Sequence, residues 1–218
     1  MRTSWVSIFA FLALISGCAH TPPLAGKDPG ALFSEICTPA LPATEVTGEV
    51  WIVATSPEAT GRFPAVVRAA STPVPTLHLE VTNLLGGTVA RIQLDASGLQ
   101  VFREGRMEAS AREQYAGIPL RFGVDLFLGA RPCPSEKPRL RYEDEQLIAE
   151  TKEERFEYGF RAHGAKLWVD SVAWIRGESR IDFSFDRPED PSGAPQEWQA
   201  KSSRGEVRVR WKRRDLLR

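Results

Sequence analysis

From residue 46 onward, apolar and polar residues alternate with a period of two in short runs, and most of the breaks between runs carry glycine or proline. Residues 46–55, containing Val50-Trp51-Ile52-Val53, predict one strand and residues 63–70 the next. Residues 77–82 alternate strictly, with Leu77, Leu79 and Val81 on one face and His78 and Glu80 on the other; that pattern belongs to a half-buried strand. Asn83-Leu84-Leu85-Gly86-Gly87 breaks the run and residues 88–95 resume it. Ala96-Ser97-Gly98 turns again into 99–103, and Glu104-Gly105 leads to a short strand around 106–109. Strand, glycine turn, strand describes an antiparallel meander. The rhythm changes at Arg112: residues 112–129 predict one or two short helices, the second stopped by Gly129 with Pro132 beyond it. Strands return over 146–152, 155–161, 166–176 and around Ile181, Phe183 and Phe185. After a polar loop at 186–196, a last strand covers 206–211. No second composition regime interrupts this series, so 46–218 counts as one domain.

Ahead of the strands the chain has a different character. Arg2 precedes an apolar run over 5–15, which is too short for a permanent span of roughly 20 residues. The run ends in Leu14-Ile15-Ser16-Gly17-Cys18, which resembles the lipobox of bacterial lipoproteins. That resemblance implies a signal peptide over 1–17, cleavage before Cys18 and acylation of its thiol. The bland alternative is an ordinary secretory signal with a chance cysteine. Residues 18–45 then hold the lipidated cysteine, a Pro-rich tether and a short helix near 31–37, stopped by Pro39 and Pro42. More than one acyl chain gives stable anchoring without a transmembrane helix. Ala19 after the cysteine, rather than Asp, points toward the outer membrane under the enterobacterial sorting rule.

Charge and cysteine content narrow the choice of chemistry. Lys+Arg and Asp+Glu number 28 each, so nothing in the balance points to nucleic acid. With Cys18 lipidated, Cys37 and Cys133 can pair in an oxidising compartment, or remain as two thiols. His20, His78 and His163 stand in no metal-ligand spacing, and neither a nucleophile elbow nor a P-loop occurs. Glu143-Asp144-Glu145 and Glu153-Glu154 read as acidic turns, with paired catalytic carboxylates as the lesser alternative. The C-terminal Arg208, Arg210, Lys212, Arg213, Arg214 and Arg218 read as a solvated strand face and tail, with contact to anionic headgroups as the alternative. The expectation is a non-enzymatic protein with no catalytic residues, no metal and no cofactor.

The unusual feature is the turn Thr82-Asn83-Leu84-Leu85-Gly86-Gly87-Thr88, with two leucines where polar residues normally sit. Such a pair either folds under its neighbours or docks on something apolar. This T-N-x-L-G-x-T turn, the hairpins after it and the Gly117-Ile118-Pro119-Leu120 segment before an apolar helix resemble the LolB family over about residues 46–132. The resemblance implies a half-open antiparallel β-barrel of about 10–11 strands, with short helices closing a cavity. It also implies a receptor that takes lipoproteins by their acyl chains from a LolA-like periplasmic carrier and inserts them into the outer membrane. The protein would be a lipid-anchored monomer facing the periplasm. Leu84, Leu85 and Gly86 would form the insertion loop. Trp51, Val53, Leu77, Leu79, Ile92, Leu94, Phe127, Trp168 and Trp174 are candidates to line the cavity. The alternative is a lipid-binding or structural outer-membrane lipoprotein of the same fold without insertion activity.

Overall fold

The computed structural model describes residues 24, 26–38, 44–57, 60–112, 114–115, 118–163, 166–188 and 194–217. Cys18, the apolar leader, His20, Gly117 and Arg218 lie outside the described residues.

Helix α1 (Pro29–Cys37) begins where Asp28 accepts the Ala31 amide at 2.7 Å, with proline in the first turn. The first meander follows: β1 (Glu45–Thr55), β2 (Thr60–Ala70), β3 (Thr76–Thr82), β4 (Thr88–Asp95), β5 (Gly98–Arg103) and β6 (Arg106–Ala111). A two-stranded ribbon, β7 (Gln114–Tyr115) and β8 (Ile118–Pro119), leads into α2 (Leu120–Leu128). The second meander is β9 (Arg139–Glu143), β10 (Gln146–Glu150), β11 (Arg155–His163), β12 (Lys166–Arg176), β13 (Ser179–Phe185), β14 (Glu197–Ser202) and β15 (Gly205–Leu217).

All strands outside the ribbon form one antiparallel sheet in the order β6-β5-β4-β3-β2-β1-β15-β14-β13-β12-β11-β10-β9. The two meanders join where β1 pairs with β15 along its full length, from Glu45↔Leu217 to Thr55↔Glu206. The edges β6 and β9 do not meet, so the sheet is unclosed. It curves around α2, which packs against β1, β2 and β3 of the first meander and, through Phe122, against Trp174 of the second. The inner face collects the alternating apolar residues: Val46, Val50 and Ile52 from β1, Leu77 and Leu79 from β3, and Ile181, Phe183 and Phe185 from β13. Five of the nine residues of α2 are buried against them: Phe122, Val124, Leu126, Phe127 and Leu128. Gly129, at φ 85°, takes the left-handed conformation that stops the helix, and its N–H returns to the α2 carbonyls.

The fold is mostly β, as the alternation predicts, but among the described residues the main sheet has thirteen strands rather than ten or eleven. Strands β9 and β14 carry only a few apolar residues among arginine, glutamate, glutamine and lysine, so their period is hard to see. β15 continues to Leu217, well beyond the predicted end at residue 211, because it pairs with β1 as far as Glu45↔Leu217 while Lys212 and Arg213 meet Glu49 of β1. Helix was predicted from residue 112, yet it begins only after Pro119, which caps α2 in an extended conformation (ψ 130°). Cys37 and Cys133 form a disulfide with Cα atoms 5.9 Å apart, tying the end of α1 to the segment after α2.

Candidate membrane-contact site

The β3–β4 hairpin projects from one end of the sheet and is closed around a single side chain. Asn83 Oδ1 accepts from the N–H groups of Leu85 and Gly87, both at 2.9 Å. The Asn83 N–H donates to the Gly87 carbonyl at 2.8 Å, and the Gly86 N–H to the Asn83 carbonyl at 3.1 Å. Gly86 sits at φ 86°, a conformation that costs glycine nothing. At the base, Thr82 Oγ1 donates to the Pro64 carbonyl at 3.3 Å, pinning the hairpin to β2. The knot leaves both leucines in solvent: Leu84 is 79% and Leu85 97% exposed. Among the described residues no other large apolar side chain is as exposed as Leu85. The tip is not folded under its neighbours.

Below the hairpin, the inner face divides into two regions. Around α2 it is solid. The Phe122 ring meets Phe156, Trp174 and Phe183 edge-on at 5.7–6.1 Å, and Phe127 meets Trp198 and Trp211 in the same way at 5.5 and 6.1 Å. Among the described residues, α2 fills the space beneath it with its own side chains rather than roofing an open apolar cavity. Toward the leucine hairpin the inner face is only half-covered. Phe63, Ala90, Ile92 and Val101 pack against the core while remaining partly accessible. Register joins them into one strip, with Phe63 opposite Ile52, Ala90 opposite Val81 and Ile92 opposite Val101. Two depressions among the described residues lie elsewhere, one lined by Arg180, Asp182 and Lys201, the other by Arg68, His78 and Arg91.

The proposed lining residues fall into distinct groups. Leu77, Leu79, Leu94, Phe127 and Trp174 are buried in the core, and Ile92 lies on the half-covered strip. Trp51, Val53 and Trp168 lie on the opposite, outer face. Trp51 and Val53 alternate with the inward Val50 and Ile52, and the Arg62 guanidinium and Lys212 ammonium lie over the Trp51 ring at 4.5 and 5.7 Å. Trp168 alternates with Leu167 and Val169 of the core. An irregularity opposite Gly159–Phe160 inserts one extra residue into β12, reversing the face of Trp168 relative to Trp174. Strict period-two arithmetic fails across such a bulge.

Several side chains have roles that the sequence did not signal. Arg121, in the first turn of α2, donates to both oxygens of Glu154 at 2.9 and 2.8 Å and to Ser135 Oγ at 3.0 Å. Trp174 Nε1 donates to the same carboxylate at 3.2 Å, so one glutamate ties helix to sheet. Arg131 is buried beside Phe185, its guanidinium 4.1 Å from the ring centre, and desolvation lowers its pKa to about 10. Asp125 on α2 is partly buried; desolvation raises its pKa to about 6 and the charge of Arg121 offsets only part of that. The Tyr158 hydroxyl donates to the Pro132 carbonyl at 3.0 Å next to the disulfide, and burial pushes its pKa upward.

The remaining charged clusters are mutually paired. Glu143 meets Arg141 at 3.2 Å and Arg155 at 3.3 Å, and Glu153 meets Arg176 at 2.6 Å. Lys212 and Arg213 meet Glu49 at 3.0 and 3.8 Å, and Arg208 and Arg210 approach Glu197 at 3.7 and 4.0 Å. Among the described residues no group of three or more His, Cys, Asp or Glu could hold a metal ion. No helix among them is long and apolar enough to cross a membrane.

This geometry defines a class: an unclosed antiparallel sheet wrapped around one apolar helix, with an apolar hairpin tip at one end. No protein-family profile matches the sequence, and no curated protein does. Solved structures do. A DUF1329 family protein from Desulfovibrio piger superposes with a TM-score of 0.56 at 9% identity, covering 89% of this chain and 93% of that one. That likeness shows the fold is shared. A LolA superfamily protein from Nitrosomonas europaea gives a TM-score of 0.47 at 11% identity, covering 85% and 90% of the two chains. A putative outer membrane lipoprotein-sorting protein domain from Vibrio parahaemolyticus gives 0.46 at 4% identity, covering 86% and 90%.

Proposed function

We propose that this chain is an envelope lipoprotein, tethered through acylated Cys18, whose β domain engages hydrocarbon through the leucine hairpin. In its specific form, the domain receives lipoproteins from a LolA-like carrier by their acyl chains and delivers them to the outer membrane as a monomer. The observation that carries the reading is the pair Leu84 and Leu85, almost wholly in solvent on a hairpin tied by four hydrogen bonds. Each leucine moved from water to hydrocarbon contributes roughly 1.5–3 kcal/mol, so the tip favours a bilayer by several kcal/mol. Phe63, Ala90, Ile92 and Val101, half-covered and in register beside the buried Ile52 and Val81, offer an acyl chain apolar surface on the inner face near the tip.

A second reading is favoured by one observation, the filled space beneath α2. With Phe122 and Phe127 packed into the sheet, the space around α2 among the described residues is taken up by side chains rather than left for acyl chains. In that reading the protein grips a single chain, or a membrane surface, without inserting cargo. Depletion of the protein separates the two. Lipoproteins stranded off the outer membrane support the receptor form, and normal sorting removes it. Leu85→Glu tests what both readings share: the folded variant should lose function in the cell, and full function would overturn the role of the tip.

A further inference from the structure

We propose that Asn83 is the positioning residue of the leucine tip, and that it lets the tip enter hydrocarbon with the N–H groups of Leu85, Gly86 and Gly87 already paired. The inference rests on the reading of Leu84 and Leu85 as a membrane contact. In water, the amides of a surface turn need no protein partner, because solvent supplies one. In hydrocarbon, each amide without an acceptor costs on the order of a full hydrogen bond. The Leu85 and Gly87 amides are among those that would travel with the leucines, and Asn83 Oδ1 accepts both at 2.9 Å. The Gly86 amide is taken by the Asn83 carbonyl at 3.1 Å. A single residue therefore satisfies the N–H groups of Leu85, Gly86 and Gly87 before the tip leaves water.

The role differs from simple turn stability, and the test uses that difference. The protein is the full-length, acylated chain reconstituted in phosphatidylcholine vesicles. Leu85→Trp places a reporter at the tip, read as the extra fluorescence quenched by brominated acyl chains. We expect the reporter to be quenched in the parent. Adding Asn83→Ala should lower the ratio of inserted to withdrawn tips by about tenfold or more, the consequence of freeing two amides in an apolar medium. Asn83→Ser, which keeps a neutral acceptor, should recover part of the loss. The urea midpoint of Asn83→Ala in solution should remain close to that of the parent. An unquenched reporter in the parent would sink the membrane-contact reading itself. A quenched reporter indifferent to Asn83→Ala would overturn only the role of Asn83. Loss of quenching accompanied by an equal loss of folding stability would reduce Asn83 to an ordinary turn residue and also overturn the proposal.

Discussion

The ring of Phe122 stands edge-on to that of Trp174, centroids 5.7 Å apart and planes at 82°, with both side chains 1% exposed or less. This contact joins α2 to the second meander, and the rings of Phe156 and Phe183 complete the enclosure. Phe122→Ala should destabilise the domain by about 3–5 kcal/mol, the range for truncating an enclosed phenylalanine. A urea unfolding curve measures it. A cost below about 1 kcal/mol would mean that the helix sits loosely on the sheet and that its space is available to a ligand.

Glu154 binds both Arg121 and Trp174, and it is well buried while Arg121 is one-third exposed. Replacing Glu154 with Leu removes the acceptor and leaves a half-buried guanidinium and an indole N–H without it. The expected cost is about 1–3 kcal/mol, less than for a fully buried pair because water reaches Arg121. A double-mutant cycle with Arg121→Met isolates the coupling. A coupling energy indistinguishable from zero would show that the pair holds nothing in place.

The disulfide closes a loop with a sequence separation of 96 residues. In the chain-entropy account a loop of that length stabilises the fold by about 4–5 kcal/mol. The Cys37→Ser, Cys133→Ser double variant should therefore unfold at markedly lower urea. The α1 amides should exchange first, because the bridge is the covalent tie of that helix, which is otherwise held by the packing of Leu32, Phe33 and Ile36 on the core. Unchanged protection across α1 would show that packing, not the bridge, holds it.

Much of this fold can be read from the alternation of side chains, and the gaps have physical causes. β3 and β13 each have one wet face and one dry one, so period two locates both. β9 is an edge strand and β14 mixes small and charged residues, so neither offers a contrast to detect. The leucine tip is legible because it breaks a composition rule, whereas the hydrogen bonding of Asn83 depends on backbone conformation. The inner and outer faces are the hardest to assign. Trp51 and Trp168 look like core residues by type, yet Trp51 is covered from outside by cationic side chains and a bulge turns Trp168 outward. Whether the concavity is hollow depends on how deeply α2 seats, which no local pattern encodes.

Asp125 breaks a local rule, and its environment sets a pH dependence. It carries a carboxylate in the last turn of α2, where the helix dipole disfavours negative charge, and burial raises its pKa from 3.8 to about 6. Below about pH 4 the group is protonated in both folded and unfolded chains and does not affect stability. Between about 4 and 6 the folded chain keeps a proton that the unfolded chain releases, so stability from this group falls as pH rises. Above about 6 the folded state bears the whole penalty, about 2 kcal/mol after allowance for partial exposure. Asp125→Asn should thus raise the midpoint of thermal unfolding at pH 7.5 and leave it nearly unchanged at pH 4. A gain of equal size at both pH values would trace the effect to packing rather than charge. A loss at pH 7.5 would show that the carboxylate forms a stabilising contact in the folded state, and its raised pKa would then be wrong in sign.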